Sequence, residues 1–236
     1  MSDRPNLFVL IHSPLVGPLM WSLVADEMRR RGLNVLVPDL RDSPESSEPF
    51  WQQHARSVTE ALTQIPNETP LILVAHSGAG PLLPAIRHLL PNPVNAYVFV
   101  DAGIPSDHAS RLDLMKSEDL EWANDFQKEL ERGERFPTWS FDDLQQVIPD
   151  KTLREQMVAE LRPRGLDFFT ESIPVFAGWP DAPCIYIQFS ASYDQPAAYA
   201  RQAGWQTYKL DAGHFHMLFD PLAVTDMIIT ALNTAS

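Results

Sequence analysis

A serine hydroxyl becomes an effective nucleophile when a base can take its proton, a third group orients that base, and hydrogen-bond donors await the developing oxyanion. Side chains of the right types stand in three short stretches. Ser77 lies in "LVAHSGAG", directly after an apolar run, with Ala75 and Ala79 two residues away on either side. Neighbours that small are what a sharp strand-to-helix turn requires, because the strained backbone and the close helix leave no room for larger ones. Taken alone, the octapeptide fits a serine that merely caps a helix equally well. Asp194 follows in "SASYDQP" and His214 in "DAGHFHML", each just beyond a further apolar run. An imidazole held by a carboxylate and set beside Ser77 would support acyl transfer. Asp101, which ends "YVFVD", could replace Asp194 as the orienting group, although a carboxylate capping the following turn is the simpler reading there.

Residues so far apart in sequence need a scaffold that gathers them. Short apolar or β-branched runs over 7–12, 34–38, 71–76, 96–101, 184–189 and 206–210 alternate with helix-period segments. That alternation predicts an α/β fold with a mostly parallel central sheet of about six strands flanked by helices. Loops at the carboxyl ends of parallel strands collect on one edge, so Ser77, Asp194 and His214 can meet there. The helices carry recognisable ends. Pro18 suits a first turn, Trp21, Val24, Ala25 and Met28 share a face, and Gly32 follows Arg29, Arg30 and Arg31 as a stop. Trp51, Ala55, Val58, Leu62 and Ile65 recur at helical spacing before Pro66, and "GAGPLLPAIRHLL" reads as a third helix with a bend at Pro84.

From 104 to 180 the rhythm breaks. Charged helical patterns over 117–132 and 150–161 are joined by segments rich in proline and aromatic residues, and no strand is expected. We read this stretch as a helical lid inserted into a single domain spanning 1–236. Trp139, Phe141, Phe168, Phe169, Phe176 and Trp179 would give the lid apolar walls if they face the sheet edge, and each could equally belong to the lid's own core.

The chain has 236 residues and a formal net charge of -13, which disfavours nucleic acid and anionic membrane surfaces as partners. A small-molecule substrate is the expected partner. No apolar run approaches the roughly 20 residues of a bilayer span, and the opening MSDRPN lacks a basic leader pattern, so a cytoplasmic protein is expected. The lone cysteine, Cys184, excludes an intramolecular disulfide and reads as a small buried side chain. Asp181 precedes its strand and belongs to the opposite edge, while Asp211 reads as a turn residue and His76 as structural. His54, His88 and His108 carry no motif and are expected on the surface or on helix faces. His214 and His216 lack a third ligand nearby, so no metal is expected.

The stretches "LFVLIHSPLVGPLMW", "AHSGAG", "YVFVDAGIP", "APCIYIQFSASYD" and "DAGHFHMLFDP", with the order Ser, Asp, His, resemble compact members of the α/β-hydrolase superfamily. The resemblance covers nearly the whole chain outside the insertion, and is greatest toward small esterases related to plant methylesterases and hydroxynitrile lyases. It implies Ser77 as nucleophile, His214 as base and then acid, Asp194 as its orienter, and no cofactor. Gly78 would give one backbone oxyanion donor. The second donor normally follows the first strand, where this chain reads His12, Ser13, Pro14, and proline has no N–H. Either the Ser13 hydroxyl, as in the lyases, or the Leu15 N–H after a small shift would have to serve. Phe215 stands where the lyases carry a lysine, which disfavours cyanohydrin cleavage. The expectation is a serine esterase for a small, mostly apolar ester or thioester, with Trp139, Phe168, Phe169 and Phe215 lining its site. A lyase or cyclase on the same scaffold, or a ligand-binding sensor with little turnover, are the rival readings.

Overall fold

A computed structural model describes residues 5–43 and 45–234, so the first four residues of the stretch read for a leader lie outside the described residues. Six strands, β1 (Leu7–Ile11), β2 (Asn34–Leu36), β3 (Leu71–Ser77), β4 (Val94–Ala102), β5 (Cys184–Gln188) and β6 (Gln206–Lys209), form one sheet in the order β2-β1-β3-β4-β5-β6. Every pairing is parallel. The central strands are apolar throughout because helices cover both of their faces. On one face α1 (Leu19–Arg30) and α9 (Pro221–Thr234) contribute Trp21, Val24, Met28, Val224 and Ile228 to a core with Leu10, Val74 and Val98. On the other, α2 (Phe50–Ala61), α3 (Leu83–Leu89) and α8 (Asp194–Gln202) pack Val58, Ile86 and Ala197 against Val9, Leu73 and Phe99.

Two predicted elements differ. The bend expected at Pro84 is a change of helix type: Gly80–Leu82 is a 3-10 turn, and α3 begins at Leu83, so Pro84 falls in the first turn, where its missing N–H costs nothing. The helix predicted over 117–132 is two, α4 (Arg111–Glu118) and α5 (Leu120–Glu131). They part at Asp119, which is extended and accepts a hydrogen bond from Trp122 N at 3.0 Å, capping α5. The inserted stretch also holds α6 (Lys151–Ala159) and α7 (Leu166–Thr170), besides isolated antiparallel bridges Ser110–Ser172 and Phe136–Arg164.

The insertion is tied to the sheet domain by charge as well as by packing. The N-cap positions of α1 and α2 are Pro18 and Pro49, which offer no side-chain acceptor to the first-turn N–H groups. Glutamates from the insertion accept instead: Glu160 takes Leu19 N at 2.9 Å, and Glu171 takes Trp51 N at 2.9 Å together with Phe50 N. A carboxylate at a helix N-terminus also meets the positive end of the helix dipole. Arg164 grips Asp42 through both guanidinium ends, at 2.8 and 2.6 Å. Asp42 in turn bonds His54 Nε2 at 2.8 Å, so His54, expected on the surface or on a helix face, lies on the buried face of α2, in the clamp between the two parts. Glu171 also faces the buried Arg111 at 3.3 Å. Glu171→Ala should cost about 3 kcal/mol in urea denaturation, because it strands a buried cation and uncaps α2, and adding Arg111→Met should recover part of that loss.

Candidate active site

β3 ends at Ser77, whose φ of 56° is left-handed, a strained conformation for a serine. The strand pairing shifts register between His76 and Ser77, and Ser77 O accepts from Gly103 N at 3.2 Å, so the chain turns sharply where the hydroxyl emerges. The turn needs small residues: a Cβ on Gly80 would lie 2.0 Å from Gly103 O. β1 and β3 are adjacent, and their following connections run to opposite sides of the sheet. The loops after them therefore flank a crevice at the point where strand order reverses, the usual binding place in such sheets.

His214 reaches this crevice from the loop after β6, and the carboxylate it meets is Asp101, not Asp194. His214 Nδ1 lies 2.9 Å from Asp101 Oδ2. Asp101 is fully buried at the end of β4, with a φ of 43°. Phe189 N at 2.7 Å and Ser190 N at 3.0 Å donate to its Oδ1, and Ser190 Oγ donates to Oδ2 at 2.7 Å. Both carboxylate oxygens of Asp101 thus act as acceptors, Oδ2 also takes His214 Nδ1–H, and His214 Nε2 is left as an acceptor. Asp194 opens α8, is exposed, and accepts from Gln188 Nε2. It borders the same cavity without touching the imidazole. The left-handed backbone at Asp101 is what turns its side chain beneath the β5 loop. The sequence signal for this was present, an acidic residue closing the strand beside β3, but turn capping is the commoner use of such a residue.

Two further side chains pack on the imidazole. His76, fully buried, lies 4.4 Å away ring to ring, and its Nε2–H donates to His214 O at 3.1 Å. Tyr193 stacks on the imidazole at 5.1 Å with planes 9° apart, and its hydroxyl is 3.2 Å from Ser77 Oγ. Ser77 Oγ makes this hydrogen bond rather than one to His214, and Ser77, Tyr193 and His214 all line the same cavity. Nothing about Tyr193 in the sequence distinguishes it from any loop aromatic.

On the β1 side of the crevice, His12 Nε2 accepts from Leu40 N at 3.2 Å, so its Nδ1–H is the donor to Ser13 O at 2.8 Å. The fully buried His12 is thereby fixed as a neutral tautomer and holds the loop. Leu15 N points at Ser13 Oγ, 3.4 Å away, which occupies the Leu15 N–H and leaves the Ser13 hydroxyl hydrogen free to turn into the crevice. Ser13 Oγ and Gly78 are close neighbours: a Cβ on Gly78 would come within 3.0 Å of that oxygen.

A cavity of about 660 Å³ opens above these groups, and Trp139, Phe168, Phe169 and Phe215 all line it. Phe176 and Trp179 do not. They pack under the sheet, against His88 and Tyr97, and Phe141 covers Arg154. Among the described residues lining the cavity, Arg111 is the lysine- or arginine-type cation, and its Nη1 is committed to Phe168 O and Glu171. Glu118, also on the wall, is pushed up to about 7 by burial. No group of three or more His, Cys, Asp or Glu among the described residues is placed to hold a metal ion.

Comparison with known proteins fits this arrangement of sheet and crevice. A model of the alpha/beta hydrolase family matches residues 8–226. The chain belongs to that family. Methylesterase 1 of Arabidopsis thaliana is 28% identical over 113 residues, a stretch covering 45% of this chain and 43% of that protein, so less than half of the relative's length is matched. Among solved structures, an extracellular alpha/beta-hydrolase from a Paenibacillus species is 18% identical with a TM-score of 0.75, covering 96% of this chain and 99% of its own. Polyneuridine aldehyde esterase is 17% identical with a TM-score of 0.73 over the same shares. At such identity the structures establish the shared fold. No helix among the described residues is long and apolar enough to cross a membrane.

Burial holds the His12 and His54 imidazoles down at about 4, and His76 well below its ordinary value. In the unfolded chain these groups titrate near 6.5. Between about pH 6.5 and 4 the unfolded state therefore binds protons that the folded state excludes, so this contribution to stability is complete above 6.5 and lost on acidification. Glu118 and Glu171, both raised by burial, act in the opposite sense but are outnumbered by the three histidines. The urea midpoint should fall between pH 7 and pH 5; a flat or rising midpoint would contradict the neutral, buried state of these histidines.

Proposed function

We propose that this chain is a serine esterase acting on a small, mostly apolar carboxylic ester or thioester. The observation that carries the reading is the pairing of His214 Nδ1 with a buried, fully hydrogen-bonded Asp101, at a cavity that also holds the strained Ser77. In the proposed cycle, Ser77 Oγ attacks the carbonyl carbon as its proton passes to His214 Nε2. Asp101 stabilises the imidazolium and keeps its orientation. The tetrahedral oxyanion accepts from Gly78 N–H and the Ser13 hydroxyl. As it collapses, His214 returns the proton to the leaving alcohol or thiol, and a water molecule repeats the sequence to release the acid.

The aromatic walls favour apolar acyl or alcohol groups, and methylesterase relatives make small alkyl esters the first substrates to try. Phe215, buried against Trp139 at 5.7 Å, offers no charge for a cyanide leaving group, which supports hydrolysis over cyanohydrin cleavage.

Turnover of a panel of short-chain esters and labelling by a fluorophosphonate test the reading. Ser77→Ala should abolish both; undiminished turnover in that variant would remove Ser77 as nucleophile. Asp101→Asn should lower kcat by about 10⁴, since the wrong imidazole tautomer results. Asp194→Asn, which keeps an acceptor for Gln188, should cost less than about tenfold. The reverse ranking would restore Asp194 as the orienting residue. Ser13→Ala should lower kcat about a hundredfold with little change in KM if its hydroxyl is the second oxyanion donor; an unaffected rate would exclude it.

A further inference from the structure

Tyr193 has no part in the steps above, yet it contacts both groups that carry them out. Its hydroxyl is 3.2 Å from Ser77 Oγ, and its ring lies parallel to that of His214, with centroids 5.1 Å apart. Its loop is pinned from below: Tyr193 N donates to Ser190 O at 3.2 Å, and Ser190 is itself held to Asp101 through backbone and hydroxyl. The carboxylate that orients the base therefore also positions this phenol.

We propose that Tyr193 is a catalytic hydrogen-bond donor on the leaving-group side. Its hydroxyl donates to Ser77 Oγ in the free protein and to the departing alcohol oxygen when the tetrahedral intermediate collapses. The proposal rests on the esterase reading above. Three considerations support it. Ser77 must give its own hydrogen to His214, which leaves Oγ to act as an acceptor toward Tyr193. In the tetrahedral intermediate Ser77 Oγ and the leaving oxygen are bonded to the same carbon, so a donor that reaches one is beside the other. Tyr193 and His214 line the same cavity ring on ring, so the phenol stands beside the base that must protonate the leaving oxygen.

The accounting of the step is simple. The bond from the acyl carbon to the leaving oxygen breaks, the carbonyl re-forms, and the proton arriving at the leaving oxygen comes from His214 Nε2. Tyr193 keeps its own proton throughout and lowers the charge on the departing oxygen by donating a hydrogen bond. Burial raises its phenol above the ordinary range, which keeps it protonated, and so a donor, at neutral pH.

Such a role depends on how much charge the leaving group carries, and a packing role does not. The test compares a p-nitrophenyl ester and a methyl ester of the same acid, using kcat/KM, which reads the steps up to acylation. p-Nitrophenolate leaves readily without help, whereas methoxide needs stabilisation. In Tyr193→Phe, which retains the ring on His214, methyl ester turnover should fall about tenfold while the p-nitrophenyl ester changes less than about threefold. Equal losses on both esters, or none on either, would overturn the proposal and leave Tyr193 as packing around the imidazole. Failure of the esterase reading has a different signature: a wild-type protein that turns over neither ester and takes no fluorophosphonate label at Ser77.

Discussion

The buried carboxylate of Asp101 is the point from which the crevice is organised. A charge removed from water is tolerable only when hydrogen bonds replace its hydration. Here Phe189 N, Ser190 N, Ser190 Oγ and His214 Nδ1 do so. Each of these donors brings a different segment to the same spot. The two backbone N–H groups fix the loop after β5, the Ser190 hydroxyl fixes the entry to Tyr193, and the imidazole fixes the loop after β6. Because β4 lies between β3 and β5 in the sheet, this anchor stands directly beside the turn that presents Ser77. One carboxylate thus sets the relative positions of the neighbours of Ser77, the His214 imidazole and the Tyr193 phenol.

The opposite wall is held by a comparable device working through a neutral ring. His12 is kept uncharged by burial, accepts from Leu40 and donates to Ser13 O, so the loop after β1 is fixed without exposing a charge to the crevice. Pro14 has no N–H, and Leu15 N is directed at Ser13 Oγ. What remains is a hydroxyl whose hydrogen can turn into the crevice. A side-chain donor is less rigid than a backbone N–H, and the closeness of Gly78 to Ser13 Oγ supplies part of the missing constraint.

The insertion is joined to the sheet domain in a way that makes each part complete the other. α1 and α2 begin with prolines at their N-caps and receive their capping acceptors from Glu160 and Glu171. The same stretch sends Leu144, Ile148 and Met157 into the core beneath α1, and its Phe168 and Phe169 wall the cavity. Apolar burial and charge capping therefore act on the same helices, and the cavity's shape is coupled to the stability of the fold.

The sequence by itself determined the layered α/β architecture, the six strands in their approximate places, the elbow at Ser77 and the arrival of His214 at the same edge. Those features are written in local periodicity and in turn chemistry, which act between neighbours in the chain. It could not determine which acidic residue would meet His214. Asp101 and Asp194 both stand at carboxyl ends of strands, and the choice turned on the left-handed backbone at Asp101 and on donors from a loop nearly ninety residues away. Tyr193 was equally illegible, since a tyrosine in a loop signals nothing until folding lays its ring on the imidazole. The burial of His54, the use of insertion glutamates as helix caps and the departure of Phe176 and Trp179 from the cavity are likewise consequences of long-range packing. Residue type and spacing fix what a segment can do; only the packed structure decides which of several chemically equivalent groups is brought within hydrogen-bond reach.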